Sequence, residues 1–313
     1  MHVTHTRPVL ALFGIYGVWL SISWIAHGVS GLWPQSMLLQ PGAALLLFLS
    51  TAVFFVLLCC QITTFYMLYV ENAIQYKPEI RYACLLVILM ISGFMIFAAH
   101  QWSIRTPFFY MLYTANLIVF ANLLGTWLIK PLKRAAELII VCVVMAMADL
   151  FSVIRGPTRH IVDSIQTYYQ SDMTGPPPIS DFLLIKIPVF GLDHLQPLFG
   201  VSDWIIVVFL SAAAAQFRIN DNLTGKGLST MIAGNRPSLY LPIAGAGLVA
   251  AISAAGILNL FLPALPVIAV LFASILLIRY PAARQLKTSD WRLITVFAGV
   301  MLTLLGMALV MAT

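Results

Sequence analysis

Nine apolar stretches, each near the length that crosses a bilayer, run through this chain: about 9–26, 43–69, 82–99, 107–129, 136–154, 200–217, 239–258, 262–280 and 292–312. A helix needs about 20 apolar residues to span the hydrocarbon. Inside lipid every backbone N–H and C=O must also be satisfied within the segment. The two requirements together predict an all-α, polytopic membrane protein of about nine transmembrane helices. Composition agrees, since 61% of the 313 residues are hydrophobic and only 9% charged. A soluble domain carries about 25% charged residues. The second stretch is long enough to tilt or to extend past the bilayer. The first has only Arg7 ahead of it and no convincing small-x-small cleavage site after it, so it reads as a span, not a signal peptide.

The net charge of +6 needs no nucleic acid to explain it, because Lys and Arg mark the cytoplasmic connections of membrane proteins. With the N-terminus inside, only Arg105, Arg155, Arg159 and Lys186 of the 17 basic residues fall outside. That bias predicts a cytoplasmic N-terminus and an external C-terminus. Cys59, Cys60, Cys84 and Cys142 all lie within spans and read as small apolar core residues. Trp19, Trp24, Trp33, Trp102, Trp127, Trp204 and Trp291 mostly stand near span ends, as an aromatic belt would. Asn116 and Asn122 read as structural hydrogen-bonding groups, Glu71 and Glu137 as solvated acids at span ends, and His27 and His100 as interfacial. The chain has no HExxH spacing, which argues against a zinc protease.

Most connections are short. The exception, 155–199, is divided by Gly175-Pro176-Pro177-Pro178. Its first half, RHIVDSIQTYYQ (159–170), has apolar residues near 3.6 spacing and predicts an amphipathic helix at the membrane surface. Its second half, FLLIKIPVF (182–190), predicts a short strand. Span seven is crowded with Gly and Ala, which favours close helix packing.

Two carboxylates interrupt the apolar pattern. Asp149 stands about six residues before the end of span five, and Asp203 about four residues into span six. An Asp at the centre of a membrane helix costs about 3 kcal/mol on insertion scales, so such residues generally have a partner or a task. The two spans run antiparallel, which puts both acids at similar depth. Two acids facing each other in a poor dielectric cannot both ionise cheaply and are expected to share a proton. Aspartic proteases use that arrangement, one carboxylate as base towards water and the other as acid. Two acids alone, however, favour a transporter or a structural role. The stretch FLPALPVI (261–268) alters that balance, because its prolines free backbone groups at the start of span eight, on the face that carries both aspartates.

With these residues in this order the chain resembles the presenilin and signal peptide peptidase family of intramembrane aspartyl proteases. Pro263-Ala264-Leu265 matches the family's PAL motif, and LPALP looks especially like presenilins. Gly200-Val201-Ser202-Asp203 matches GxGD except that Ser202 replaces the second glycine. Asp149 matches the first aspartate, with Ala148 where the family usually has Tyr. The likeness covers about 135–280, a catalytic core between four N-terminal spans (1–134) and one added C-terminal helix (281–313).

The resemblance implies that Asp149 and Asp203 are catalytic and that Gly200, Val201, Ser202, Pro263, Ala264 and Leu265 bind substrate. It implies membrane-spanning protein or peptide substrates, with no metal and no cofactor. The compact chain looks like a prokaryotic member in the cell membrane, acting without an obligate partner subunit. The charge bias puts the 155–199 loop outside, opposite to presenilin and like signal peptide peptidase. Ser202 fits either altered substrate recognition or a catalytically inactive, helix-binding homologue. A proton- or cation-coupled transporter using the same two acids is the remaining alternative.

Overall fold

Proline opens many of the helices, and that placement organises the fold. Its missing N–H is no loss at a position that has no intrahelical partner, and its φ is already helical. The computed structural model describes every residue except 1–5, 33–39, 72–73, 75–77, 156, 172, 174, 193, 259–261 and 311–313. Among the described residues the chain is mostly helical. Helix α1 covers Thr6–Ser30, α2 Pro41–Tyr66, α3 Pro78–Gln101, α4 Pro107–Leu128 and α5 Glu137–Arg155. An amphipathic helix α6 (Pro157–Gln170) follows, then an antiparallel hairpin of β1 (Leu184–Pro188) and β2 (Leu195–Gly200). The chain closes with α7 (Val201–Gln216), α8 (Leu228–Gly234), α9 (Ile243–Leu258), α10 (Ala264–Arg279) and α11 (Thr288–Val310).

Four helical segments are long and apolar enough to cross a bilayer: Leu10–Ser30, Gly42–Glu71, Glu79–Gln101 and Pro107–Leu128. The second runs on from α2 through a π-helical turn, Met67–Glu71, as its length predicts. These helices mark a membrane protein. Each of the nine expected spans holds a helix, but α7, α9 and α10 have only 16 residues each. At 1.5 Å per residue that is about 24 Å, against about 30 Å of hydrocarbon. The missing residues are in use elsewhere. Gly200 ends a strand, Pro242 bridges to Asn222, and Leu262 and Pro263 lie outside the helix.

Helix α4 is the axis of the fold, packed by α1, α3, α7 and β1. Gly125 permits the contact with α7, since a Cβ there would stand 2.8 Å from Val208. Gly247 does the same between α9 and α10, where a Cβ would meet the Ile268 backbone at 2.8 Å. That is the close packing expected of span seven. Cys59, Cys60 and Cys142 are buried and all four thiols are free.

Several expectations need correcting. Trp19 and Trp204 are core residues with no exposed surface, Trp19 edge-on to Phe55 at 5.4 Å, so neither belongs to a belt. Arg81 and Lys186 are not loop charges: both are buried in ion pairs, with Glu71 and Asp181 respectively. Glu71 is thereby a structural acid. Trp33 and Lys77 lie outside the described residues. Asn116 is structural, accepting from Tyr16 at 2.8 Å and donating to Ser92 at 2.7 Å.

Candidate functional site

Strand β2 delivers the chain into α7 without a connecting loop. Gly200 is the last residue of the strand and the N-cap of the helix, with φ −74° and ψ 149°. Asp203 therefore stands in the first turn of α7, closer to the helix end than a position deep in a span. Its Oδ2 accepts the Gly200 N–H at 3.1 Å. Gly200 is suited to this closeness. A Cβ there would lie 3.3 Å from Asp203 Oδ2 and 3.2 Å from Ser202 Oγ. Val201 is buried and Ser202 exposed.

Asp149 is carried on α5, which packs against α10 and α6. Helix α10 begins at Ala264, with Pro263 as its extended N-cap at φ −63° and ψ 128°. The first N–H groups of a helix have no partner within it. Pro266 contributes none, which narrows the choice to its neighbours. The Leu265 N–H donates to the Asp149 carboxylate. Asp149 in turn lies close enough to Asp203 for the two carboxylates to interact electrostatically.

The structure thus brings Asp149, Asp203, Gly200 and Leu265 to one place, and each acid sits at the positive end of a helix dipole. Such a position favours negative charge by about 0.3–1 kcal/mol. Among the described residues no cation pairs with either acid. Both acids are half-buried, which leaves them reachable. Ala264 and Leu265 are half-buried beside them, and Pro263 fixes the turn that aims the Leu265 amide. Two cavities lie elsewhere, one between α1 and α2 and one beside the hairpin. Among the described residues no group of three or more His, Cys, Asp or Glu is placed to hold a metal ion.

Two features of this region escape a linear reading. Strand β2, LQPLFG, contains Pro197 and lacks the alternation of a half-buried strand, yet its register with β1 sets Leu184 opposite Gly200. Lys186 N–H reaches Thr114 Oγ1 at 3.4 Å and anchors β1 to α4. Asp221, in a stretch that reads as polar loop, is completely buried and accepts from the Tyr240 hydroxyl at 2.7 Å. An acid between two asparagines carries no signal of burial. No family model, curated protein or solved structure matches this chain.

Proposed function

We propose that this protein is an intramembrane aspartic endopeptidase of the presenilin and signal peptide peptidase type, cutting peptide bonds within membrane-spanning helices. One observation carries the reading: Asp149, Asp203 and the Leu265 amide of the PAL segment, separate in sequence, meet at one site. On this reading the helices α1–α5, α7 and α9–α11 are the nine spans. The N-terminus is cytoplasmic, the 155–199 loop external, and the membrane that of a prokaryotic cell.

A water held between the two carboxylates is deprotonated by one while the other protonates the substrate carbonyl and then the leaving amine. A substrate helix has its amides already bonded, so it must first unwind, and an unwound strand needs new backbone partners. The extended N-cap Pro263 lies next to the acids and, with the Leu184 end of β1 opposite Gly200, marks the backbone that such a strand would meet. The short helices around the site help water reach it, because about 24 Å of helix does not fill the hydrocarbon.

The test is cleavage of labelled single-span substrates by the purified, detergent-solubilised protein, beside Asp149→Asn and Asp203→Asn, with product masses read directly. Cuts inside the hydrophobic segment, absent from both variants and blocked by a hydroxyl-isostere transition-state analogue, are expected. Full cleavage by either variant would end the proposal. No cleavage by a folded wild-type protein would move the reading to a silent helix-binding homologue, or to proton- or cation-coupled transport through the same acids.

A further inference from the structure

A cavity of about 260 Å³ opens where α4, α6 and the hairpin meet, at the end of β2 away from Gly200. Arg105, Tyr110, Tyr168, Tyr169, Lys186 and His194 line it, and among the described residues no carboxylate does. Asp181 lies behind this wall with no exposed surface, accepting from Lys186 Nζ at 2.5 Å and from the Tyr169 hydroxyl at 3.0 Å. Burial draws the Lys186 amine below its usual range, and Asp181 opposes that pull. The ammonium also rests 4.0 Å from the Tyr110 ring centroid. Lys186 and Asp181 together carry no net charge.

Among the described residues Arg105 is the lining cation with no acid partner. Its Nη1 donates to the Gly175 carbonyl at 2.6 Å, and the Tyr168 phenol bonds to the same guanidinium. Among the described residues its buried Nε has no partner. A buried donor without an acceptor costs about 1–3 kcal/mol, more when charged. A guanidinium of this kind suits an acceptor with several oxygens, above all phosphate.

We propose that this cavity binds a phosphate anion bearing one negative charge, and specifically the phosphodiester of a glycerophospholipid headgroup. The Arg105 guanidinium supplies the charge that draws the phosphodiester, and the tyrosine hydroxyls add neutral donors. The setting selects a lipid over a free anion. Trp102 is 58% exposed and Trp24 55% exposed, and Trp24 packs edge-on to Phe108 at 6.0 Å, beside the start of α4. Exposed tryptophans of this kind collect at the headgroup level of a bilayer. A bound phosphate would tie α4, α6 and both strands together, and β2 leads directly to Gly200 and Asp203. The site involves neither aspartate and does not depend on the proteolytic reading.

The test uses the full-length protein in detergent, with thermal inactivation of its fold followed in the presence of phosphatidylglycerol, diacylglycerol or inorganic phosphate. Phosphatidylglycerol is expected to protect and diacylglycerol not. In Arg105→Gln the lipid concentration needed should rise about tenfold or more, as loss of a charged hydrogen bond implies. Protection by inorganic phosphate alone, lost in Arg105→Gln, would keep the phosphate site and overturn the lipid assignment. Equal protection of wild type and variant, or no protection by either phosphate, would overturn the site. Should Arg105→Gln fail to fold, native mass spectrometry of the wild type decides: a retained phosphatidylglycerol adduct supports the site, and its absence overturns it.

Discussion

In the α1–α4 bundle an acid and a base face each other. Glu71 at the end of the π turn bonds Arg81 on α3, and Arg81 also donates to Thr126 Oγ1 at 3.0 Å. Around the short helices α7 and α10 two acids lie within electrostatic reach of each other instead, with backbone amides as their donors. The difference follows helix length and exposure. Arg81 is 1% exposed, and a charge so deeply enclosed persists only beside its opposite. Asp149 and Asp203 sit near helix ends, half-buried, where the positive ends of dipoles and nearby water make a second carboxylate tolerable. The first arrangement holds the fold together. The second leaves two acids with no cation beside them among the described residues, which is the condition the proposed chemistry needs.

That contrast is open to measurement. The largest effect is expected at Arg81. Arg81→Ala strands Glu71 in the interior and should destabilise the protein by about 3–5 kcal/mol in a denaturant titration in detergent. A loss below about 1 kcal/mol would mean that the pair is not structural.

Asp221 tests the same physics outside the spans. Burial pushes its carboxyl from the usual 3.8 up to about 7, while its bond from Tyr240 pulls the other way. The folded state holds the proton more tightly than the unfolded state. This contribution is therefore complete below about pH 4 and is lost as pH rises through about 7. Stability should fall from pH 5 to pH 8, by no more than about 3 kcal/mol. Asp221→Asn should flatten that slope, and an unchanged slope would assign it to another group.

The smallest effect is expected at the acid pair. Asp203→Asn removes a charge from a helix end and keeps an acceptor for the Gly200 N–H, so stability should move by under about 1 kcal/mol. Cleavage, under the proposed function, should disappear. A loss of stability as large as that of Arg81→Ala would make the pair structural and erase the contrast.

Much of the helical framework was readable in the chain. Pro41, Pro78, Pro107 and Pro157 each begin a helix, and each of the nine apolar stretches contains one. The amphipathic segment at 159–170 lies within α6, and the strand expected in 182–190 is β1. Less was readable wherever the partner was distant. Arg81 and Lys186 counted as loop charges because nothing local distinguishes a solvated base from one enclosed beside an acid. Trp204 looked interfacial by its place near a span end, yet it is packed at 5.7 Å against Phe199. Strand β2 was missed because Pro197 hides its pairing.

Local chemistry determined what could be settled along the chain: apolar runs that must satisfy their own backbone in lipid, prolines that start helices, and two acids too costly to leave without a role. Tertiary structure alone decided which groups meet. That Leu265 offers its amide to Asp149, that Asp149 stands near Asp203, and that Arg105 lines a cavity beside the hairpin all depend on side chains far apart in sequence. Periodicity records which face of a helix is apolar, because burial acts on each residue in turn. It carries no record of which helix lies opposite, because that choice belongs to the packing of the whole.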